Sequence, residues 1–195
     1  MDWTQYKWNP WSISKRGLLD IEEVLVSNSI NHVVEFGSGA SSYYIRDVMN
    51  RIGRPYHLMS FDDDIGYAAE GVNIRPLLTC SDEHFDEMFN ERVYKPQLMQ
   101  YYTERKHSRQ HNCFYKINGE DFVTPIDFLL VDGPNGNGRS FAYLHTKDCL
   151  KKGAVVFVDD YDHYDFLDKL SLFHEYTVIK ERDSSKDRYI ILKIN

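Results

Sequence analysis

Ten residues constrain this chain more than any others: Val33-Val34-Glu35-Phe36-Gly37-Ser38-Gly39-Ala40-Ser41-Ser42. A short apolar run meets a Gly-x-Gly turn and then a helix-compatible stretch, which predicts strand, tight turn and helix. Glycine accepts positive φ and carries no Cβ, so a ligand can lie against the backbone where the strand ends. The helix that follows offers unpaired N–H groups at its positive dipole end. In an α/β sheet this geometry suits a nucleotide-like ligand at the carboxyl ends of the strands. The dinucleotide fingerprint wants a third glycine three residues after the second, and Ser42 stands there. Glu35, two residues before the first glycine, would repel a pyrophosphate and attract a cationic ligand.

The alternation continues on both sides. Ser14 caps a helix running to about Ser27, with Ile21, Val24 and Leu25 on its apolar stripe. Ile45, Val48, Met49 and Ile52 repeat at helical spacing and Gly53 ends that helix. Residues 56–61 predict a strand stopping at Asp62-Asp63-Asp64. Residues 64–70 read as a short helical piece closed by Gly71. Residues 72–78 read as a third strand, near the sheet edge because Pro76 cannot donate to a ladder. Ser81 caps a helix carrying Phe85, Met88 and Phe89. Residues 126–131 form an apolar strand ending at Asp132-Gly133-Pro134, residues 139–150 a helix, and residues 154–158 a strand ending at Asp159-Asp160. A helix with Phe166, Leu167, Leu170 and Phe173 precedes residues 176–180 and 188–194, two strands joined by a turn too short for anything but antiparallel pairing. The pattern predicts an α/β, Rossmann-like, doubly wound sheet of about seven strands, mostly parallel, with an antiparallel C-terminal hairpin.

The 195 residues suit one domain with a real core. Within it, residues 1–30 form an N-terminal arm and helix. The arm carries Trp3, Trp8 and Trp11 and either packs on the domain or belongs to a lid. Residues 93–123 are an insertion in which Lys95, Arg105, Lys106, Arg109 and Lys116 alternate with Tyr94, Tyr101, Tyr102, Phe114 and Tyr115, with His107 and His111 among them. It reads equally as a substrate-binding lid and as a solvated helix and loop. The net charge of −7 argues against nucleic acid as a partner. No 18-residue apolar run predicts a membrane span, and the first residues lack the basic and apolar regions of a signal peptide. Cys80, Cys113 and Cys149 form neither a zinc pattern nor a disulfide framework, so a cytoplasmic, reducing setting is expected.

Asp132, Asp159 and Asp160 each follow a predicted strand, and in such sheets those ends lie side by side. Three carboxylates crowded together repel one another unless something cationic sits among them. Oxygen-rich sites suit Mg²⁺ or a similar hard cation.

The segment Val33 to Gly39 resembles motif I of the class I S-adenosylmethionine-dependent methyltransferases. The resemblance, which extends over residues 30–195, implies the strand order 3-2-1-4-5-7-6. It places Glu35 near the methionine part of S-adenosylmethionine, and Gly37, Ser38, Gly39 and Ser41 against the cofactor. Asp62, which lies 23 residues beyond Gly39, would take the ribose hydroxyls with Asp63 beside it. Ser81 would flank the adenine, and Asp132 would complete the cofactor wall. Val131-Asp132-Gly133 with Val158-Asp159-Asp160-Tyr161 resembles the metal-dependent sugar O-methyltransferases of the macrocin type and, more loosely, the caffeoyl-CoA type. That resemblance implies Mg²⁺ or Mn²⁺ on Asp132, Asp159 and Asp160, with Asp132 or His163 as the base. Pro134-Asn135-Gly136 departs from it, since the sugar enzymes usually carry another acidic residue there. The expected activity is methylation of a hydroxyl on a glycan or a deoxysugar such as rhamnose. A catechol-like small molecule is the second acceptor, and a non-catalytic binding module is the reading from a different class.

Overall fold

The expected alternation of strands and helices is present along the chain. The structure is a computed structural model that describes residues 3–6, 8–102, 112–117, 122, 125–184 and 186–195. In chain order it builds α1 (Lys15–Ser27), β1 (His32–Phe36), α2 (Ala40–Ile52), β2 (His57–Asp62), β3 (Asn73–Ile74), β4 (Leu77–Thr79) and α3 (Asp82–Glu91). There follow β5 (Gln100–Tyr101), β6 (Cys113–Tyr115), β7 (Ile126–Val131), α4 (Phe141–Thr146), β8 (Leu150–Asp159), α5 (Phe166–Ser171), β9 (Tyr176–Ser184) and β10 (Asp187–Ile194). Seven strands form one sheet in the order β3-β2-β1-β7-β8-β10-β9. All pair in parallel except β10, which is antiparallel to β8 and β9. Numbered by their own sequence order, these strands run 3-2-1-4-5-7-6.

Both faces of the sheet are covered, as its apolar runs require. Alternation along β1 sends Val34 and Phe36 into one core, with Phe85, Phe89, Phe141 and Phe166. It sends Val33 into the other, with Leu18, Ile21, Tyr44 and Ile45 of α1 and α2. Ser14 caps α1 by accepting from the Gly17 N–H at 3.0 Å. Gly17 lets that helix lie close to the sheet, because a Cβ there would sit 2.7 Å from Ile13 Cγ2 and 3.4 Å from the Tyr189 ring. Trp3 of the N-terminal arm stacks on Tyr44 of α2 at 5.4 Å, with Lys15 over its ring, so the described part of the arm packs on the domain.

Three local expectations change. The third strand breaks at Pro76. Asn73 and Ile74 stay in the main sheet, while Leu77–Thr79 becomes the centre of a second, antiparallel sheet ordered β5-β4-β6. Two of its strands come from the insertion, where no strand was expected. Residues 64–70 form one turn instead of a helix: Tyr67 and Ala68 donate to the Asp64 carbonyl, and the Asp64 side chain takes the Gly66 N–H at 2.7 Å. An aspartate that satisfies N–H groups locally competes with helix propagation. The helix expected over 139–150 shrinks to a 3-10 turn (Asn137–Ser140) and α4, since Leu150 already pairs with Ile126. Gly153, at φ +82°, takes up the irregularity between that pair and the next. Glu104, Arg105, Lys106, His107, Arg109 and His111 lie outside the described residues. No helix among the described residues is long and apolar enough to cross a membrane.

Asp127 ties the amino end of β1 to β7. It is buried, accepts the backbone N–H groups of Asn31 at 2.7 Å and His32 at 2.8 Å, and pairs with Lys151. Burial opposes its ionisation, but Lys151 and the two N–H groups outweigh burial and lower its pKa. Asp127→Ala is expected to cost about 2–4 kcal/mol in urea denaturation at neutral pH, because two N–H donors lose their acceptor. A lowered folded pKa means the contribution is complete above the unfolded value of about 3.9 and vanishes as pH falls through the folded one. The gap between wild type and variant should therefore close in acid.

Candidate active site

The crevice is built where β2, β1, β7 and β8 end side by side. The Phe36 carbonyl accepts from Asp132 N at 2.8 Å and from Gly133 N at 2.7 Å, which clamps the end of β7 to that of β1. Gly37, at φ +87°, lies against Gly133 so closely that a Cβ would meet Gly133 N at 2.6 Å. A Cβ on Gly133 would in turn strike the Tyr115 hydroxyl and, at 2.8 Å, Gly37 Cα. Gly39 differs. At φ +149° its missing Cβ faces open space, with Tyr67 O the nearest atom at 3.8 Å. The glycines thus divide two tasks, Gly37 for strand-end packing and Gly39 for an open face on the loop before α2.

Glu35 is completely buried on the α2 side of β1. It accepts from the hydroxyls of Ser41 (2.6 Å), Ser42 (2.5 Å) and Ser60 (2.6 Å), so it braces the loop from behind and presents no free carboxylate to the crevice. Burial raises its pKa, against the three serine bonds. Ser41 is spent on this brace. Ser38 is tied to Asp62, whose carboxylate accepts from Ser38 N at 2.8 Å, Ser38 Oγ at 3.1 Å and Asp64 N at 2.9 Å. Asp63 is open to solvent on one side, yet the protein around it and then the charge of Asp62 raise its pKa to about 6. Ser81 is exposed and caps α3 by accepting from His84 N at 3.2 Å. A groove of about 530 Å³, lined by Tyr43, Ile65, Ala69, Gly71 and Ile74, opens beside the Asp62 loop. A cavity of about 310 Å³ lined by Asn31, His32, Pro55, Tyr56 and His57 lies at the opposite, amino ends of β1 and β2, away from the carboxylates.

Asp132 and Asp159 form a coupled pair. Desolvation first, and then the charge of Asp159, raises the Asp132 pKa well above the ordinary carboxylate range. Burial also raises Asp159, to about 6, with Arg139 opposing the rise. Arg139 is buried, donating through Nε to Pro134 O at 3.1 Å and through Nη1 to Asp159 O at 2.9 Å. Tyr115 is buried too; burial, then the charges of Asp62, Asp63 and Asp132, hold its hydroxyl protonated.

The expected three-aspartate metal site is not assembled. Asp160, at φ +50°, turns to Arg188, whose Nη2 donates to Oδ1 at 2.7 Å. Among the described residues no three His, Cys, Asp or Glu side chains are arranged to hold a metal ion. The donor set present does not fit a divalent cation. His163 is exposed on the turn after β8, its N–H on Asp160 O at 3.0 Å and its Nδ1 3.9 Å from Asp160 Oδ2, so it sits with Asp160 and not with Asp132 and Asp159.

Arg139 and Ser60 were not singled out by sequence as parts of the site, and Tyr115 was named only among the rings of the 93–123 insertion. Ser60 carried a usable signal, a hydroxyl inside an apolar strand in register with Glu35. Arg139 carried a weaker one, a lone cation seven residues after Asp132.

Residues 34–161, well over half of the chain, match the family model described as Methyltransferase domain. No curated protein matches the sequence. Among solved structures the chain is similar to the O-methyltransferase from Bacillus cereus in complex with SAH, at 10% identity and a TM-score of 0.52, covering 95% of this chain and 83% of that one. It is also similar to a methyltransferase from Geobacter sulfurreducens, at 15% identity and a TM-score of 0.51, covering 95% and 81%. At such identities the likeness is one of fold. Taken with the glycine loop and the strand order, the family match is decisive: the chain belongs to the methyltransferase-domain family, and its fold places it in class I, the S-adenosylmethionine-dependent methyltransferases with a Rossmann-like sheet.

Proposed function

We propose that this methyltransferase transfers the methyl group of S-adenosylmethionine to a hydroxyl oxygen of a small-molecule or glycan acceptor, a sugar hydroxyl foremost. The observation that carries the reading is the Asp132–Asp159 pair, two half-buried carboxyl groups with raised pKa values at the ends of two adjacent parallel strands. A hydroxyl is a poor nucleophile until its proton is taken. In the proposed step the acceptor oxygen attacks the sulfonium methyl in line. The O–C bond forms as the S–C bond breaks, the sulfonium becomes a neutral thioether, and the hydroxyl proton passes to Asp159. Gly39 gives the donor its open approach, and the chain chiefly positions the two reactants. The divalent cation expected from the resemblance has no part in this step, because Asp160 is committed to Arg188. A sugar acceptor is supported by the Val158-Asp159-Asp160-Tyr161 segment and by the exposed ring of Tyr101, on the second sheet. The net charge of −7 supports an acceptor that is not nucleic acid.

Calorimetric titration with S-adenosylhomocysteine tests the donor half. Wild type is expected to bind it, and Gly39→Val to bind at least about tenfold more weakly, since the new side chain fills the open face in a backbone region it disfavours. A melting curve checks that the variant is folded. Absence of binding by wild type would sink the enzyme reading and favour a binding module.

Transfer of labelled methyl to a panel of sugars and catechols tests the acceptor half. Asp159→Asn should lower transfer by about 100-fold or more while changing S-adenosylhomocysteine affinity by less than about threefold. Asp159 must be ionised to act and its pKa is raised to about 6, so the wild-type rate should fall as pH drops through that value. A rate indifferent to both changes would remove Asp159 from the chemistry.

A further inference from the structure

We infer that Arg139 holds the place that a divalent cation would otherwise take at the ends of β7 and β8, so that this chain binds no metal there. The inference deepens the hydroxyl-methylating reading and rests on it for its meaning, although its test does not.

The carboxyl ends of these strands crowd acidic residues: Asp132 and Asp159 lie together, Asp160 follows, and Asp62 ends β2. Such a set needs positive charge. The chain supplies it from two separate elements. Arg188 of β10 takes Asp160 at 2.7 Å and lies 3.9 Å from Asp162. Arg139, on the 3-10 turn before α4, binds the Asp159 main-chain carbonyl at 2.9 Å and from there sets its charge near the other two. Its charge acts on both carboxyl groups and on the Tyr115 hydroxyl.

Arg139 is held as a fixed part of the site. It is 6% exposed. Two of its N–H groups go to the Pro134 and Asp159 carbonyls, and its guanidinium lies 5.5 Å from the centre of the Phe166 ring. A guanidinium has five donors in a rigid plane and stays charged at any physiological pH. Its position next to the pair is therefore permanent. A divalent ion brought to Asp132 and Asp159 would meet that charge at close range, and Asp160 is turned away as a third ligand. Mg²⁺ demands near-octahedral oxygen donors and gives up water reluctantly, so two carboxyl groups beside a fixed cation offer it little. Arg139 is accordingly a positioning residue. From its fixed seat on the Pro134 and Asp159 carbonyls it sets the charge that the two carboxyl groups meet.

Mn²⁺ alone is the probe, because the free aqueous ion gives an electron paramagnetic resonance signal that the bound ion loses. Wild type and Asp159→Asn are expected to show the same weak, non-stoichiometric uptake. Arg139→Gln should bind one Mn²⁺ at least about tenfold more tightly than wild type, and adding Asp159→Asn should abolish that gain. Arg139→Lys, which keeps the charge, should behave as wild type. Stoichiometric binding by wild type that Asp159→Asn removes would overturn the inference, as would equal affinities in folded Arg139→Gln and wild type. If Arg139→Gln does not fold, the comparison of wild type with Asp159→Asn decides alone. Calorimetry with S-adenosylhomocysteine on the same wild-type sample separates the two ideas. Its failure would remove the methyl-transfer reading and leave the Mn²⁺ result standing.

Discussion

The site depends on a contact between two backbones. Gly37 ends β1 and Gly133 follows β7, and a side chain on either would strike the other's main chain. The Phe36 carbonyl fixes the contact by accepting two N–H groups from the facing strand end. Adjacent parallel strands lie ~4.8 Å apart, so the clamp sets Asp132 one strand away from the open loop at Gly39. Tyr115 closes over the same point from the second sheet, with its ring stacked on Phe36 at 6.2 Å. The loop at Gly39 and the strand end at Asp132 are thus joined through main-chain atoms.

An acidic chain must also decide what becomes of each carboxyl group it buries. An ionised one without partners costs several kcal/mol. Asp127 receives two N–H groups and Lys151, and Asp20 receives Tyr189, Lys180 and Arg182, so both stay ionised despite burial. These two are structural: one pins β1 to β7, the other pins α1 to the C-terminal hairpin. Glu35, Asp132 and Asp159 receive less than burial takes away, and their pKa values rise. Perturbed groups of this kind gather at sites of proton transfer. Of the three, Glu35 spends its carboxyl group on the serine brace, and Asp132 and Asp159 stand at the strand ends of the crevice.

Much of the fold was legible because it rests on short-range patterns. The stripe of Ile45, Val48 and Met49 can be buried only as a helix, and Gly53 stops it at φ +72°. Ser14 and Ser81 cap the helices expected of them, since a cap needs only a hydroxyl three residues from an N–H. Pro76 signalled a strand near the sheet edge, but that the strand breaks there and its second half joins another sheet depended on β5 and β6, far along the chain. The turn at Asp64 and the shortened α4 were misread because the winning hydrogen bonds, one a side-chain bond within the turn and the other a strand pairing at Leu150, compete with helical spacing that looked acceptable by itself.

The sequence by itself determined the alternation of strands and helices, the glycine loop, and the carboxyl groups at the strand ends, because each follows from residue type at a fixed local spacing. Only the tertiary structure decided what those carboxyl groups face. Glu35 turns to three serines, Asp160 turns to Arg188, and Asp132 with Asp159 lies within the field of Arg139. Arg139 reaches its place by hydrogen bonds to two carbonyls, on the loop after β7 and at the end of β8. Any residue can supply a carbonyl, so no pattern of side chains along the chain could have announced that pairing.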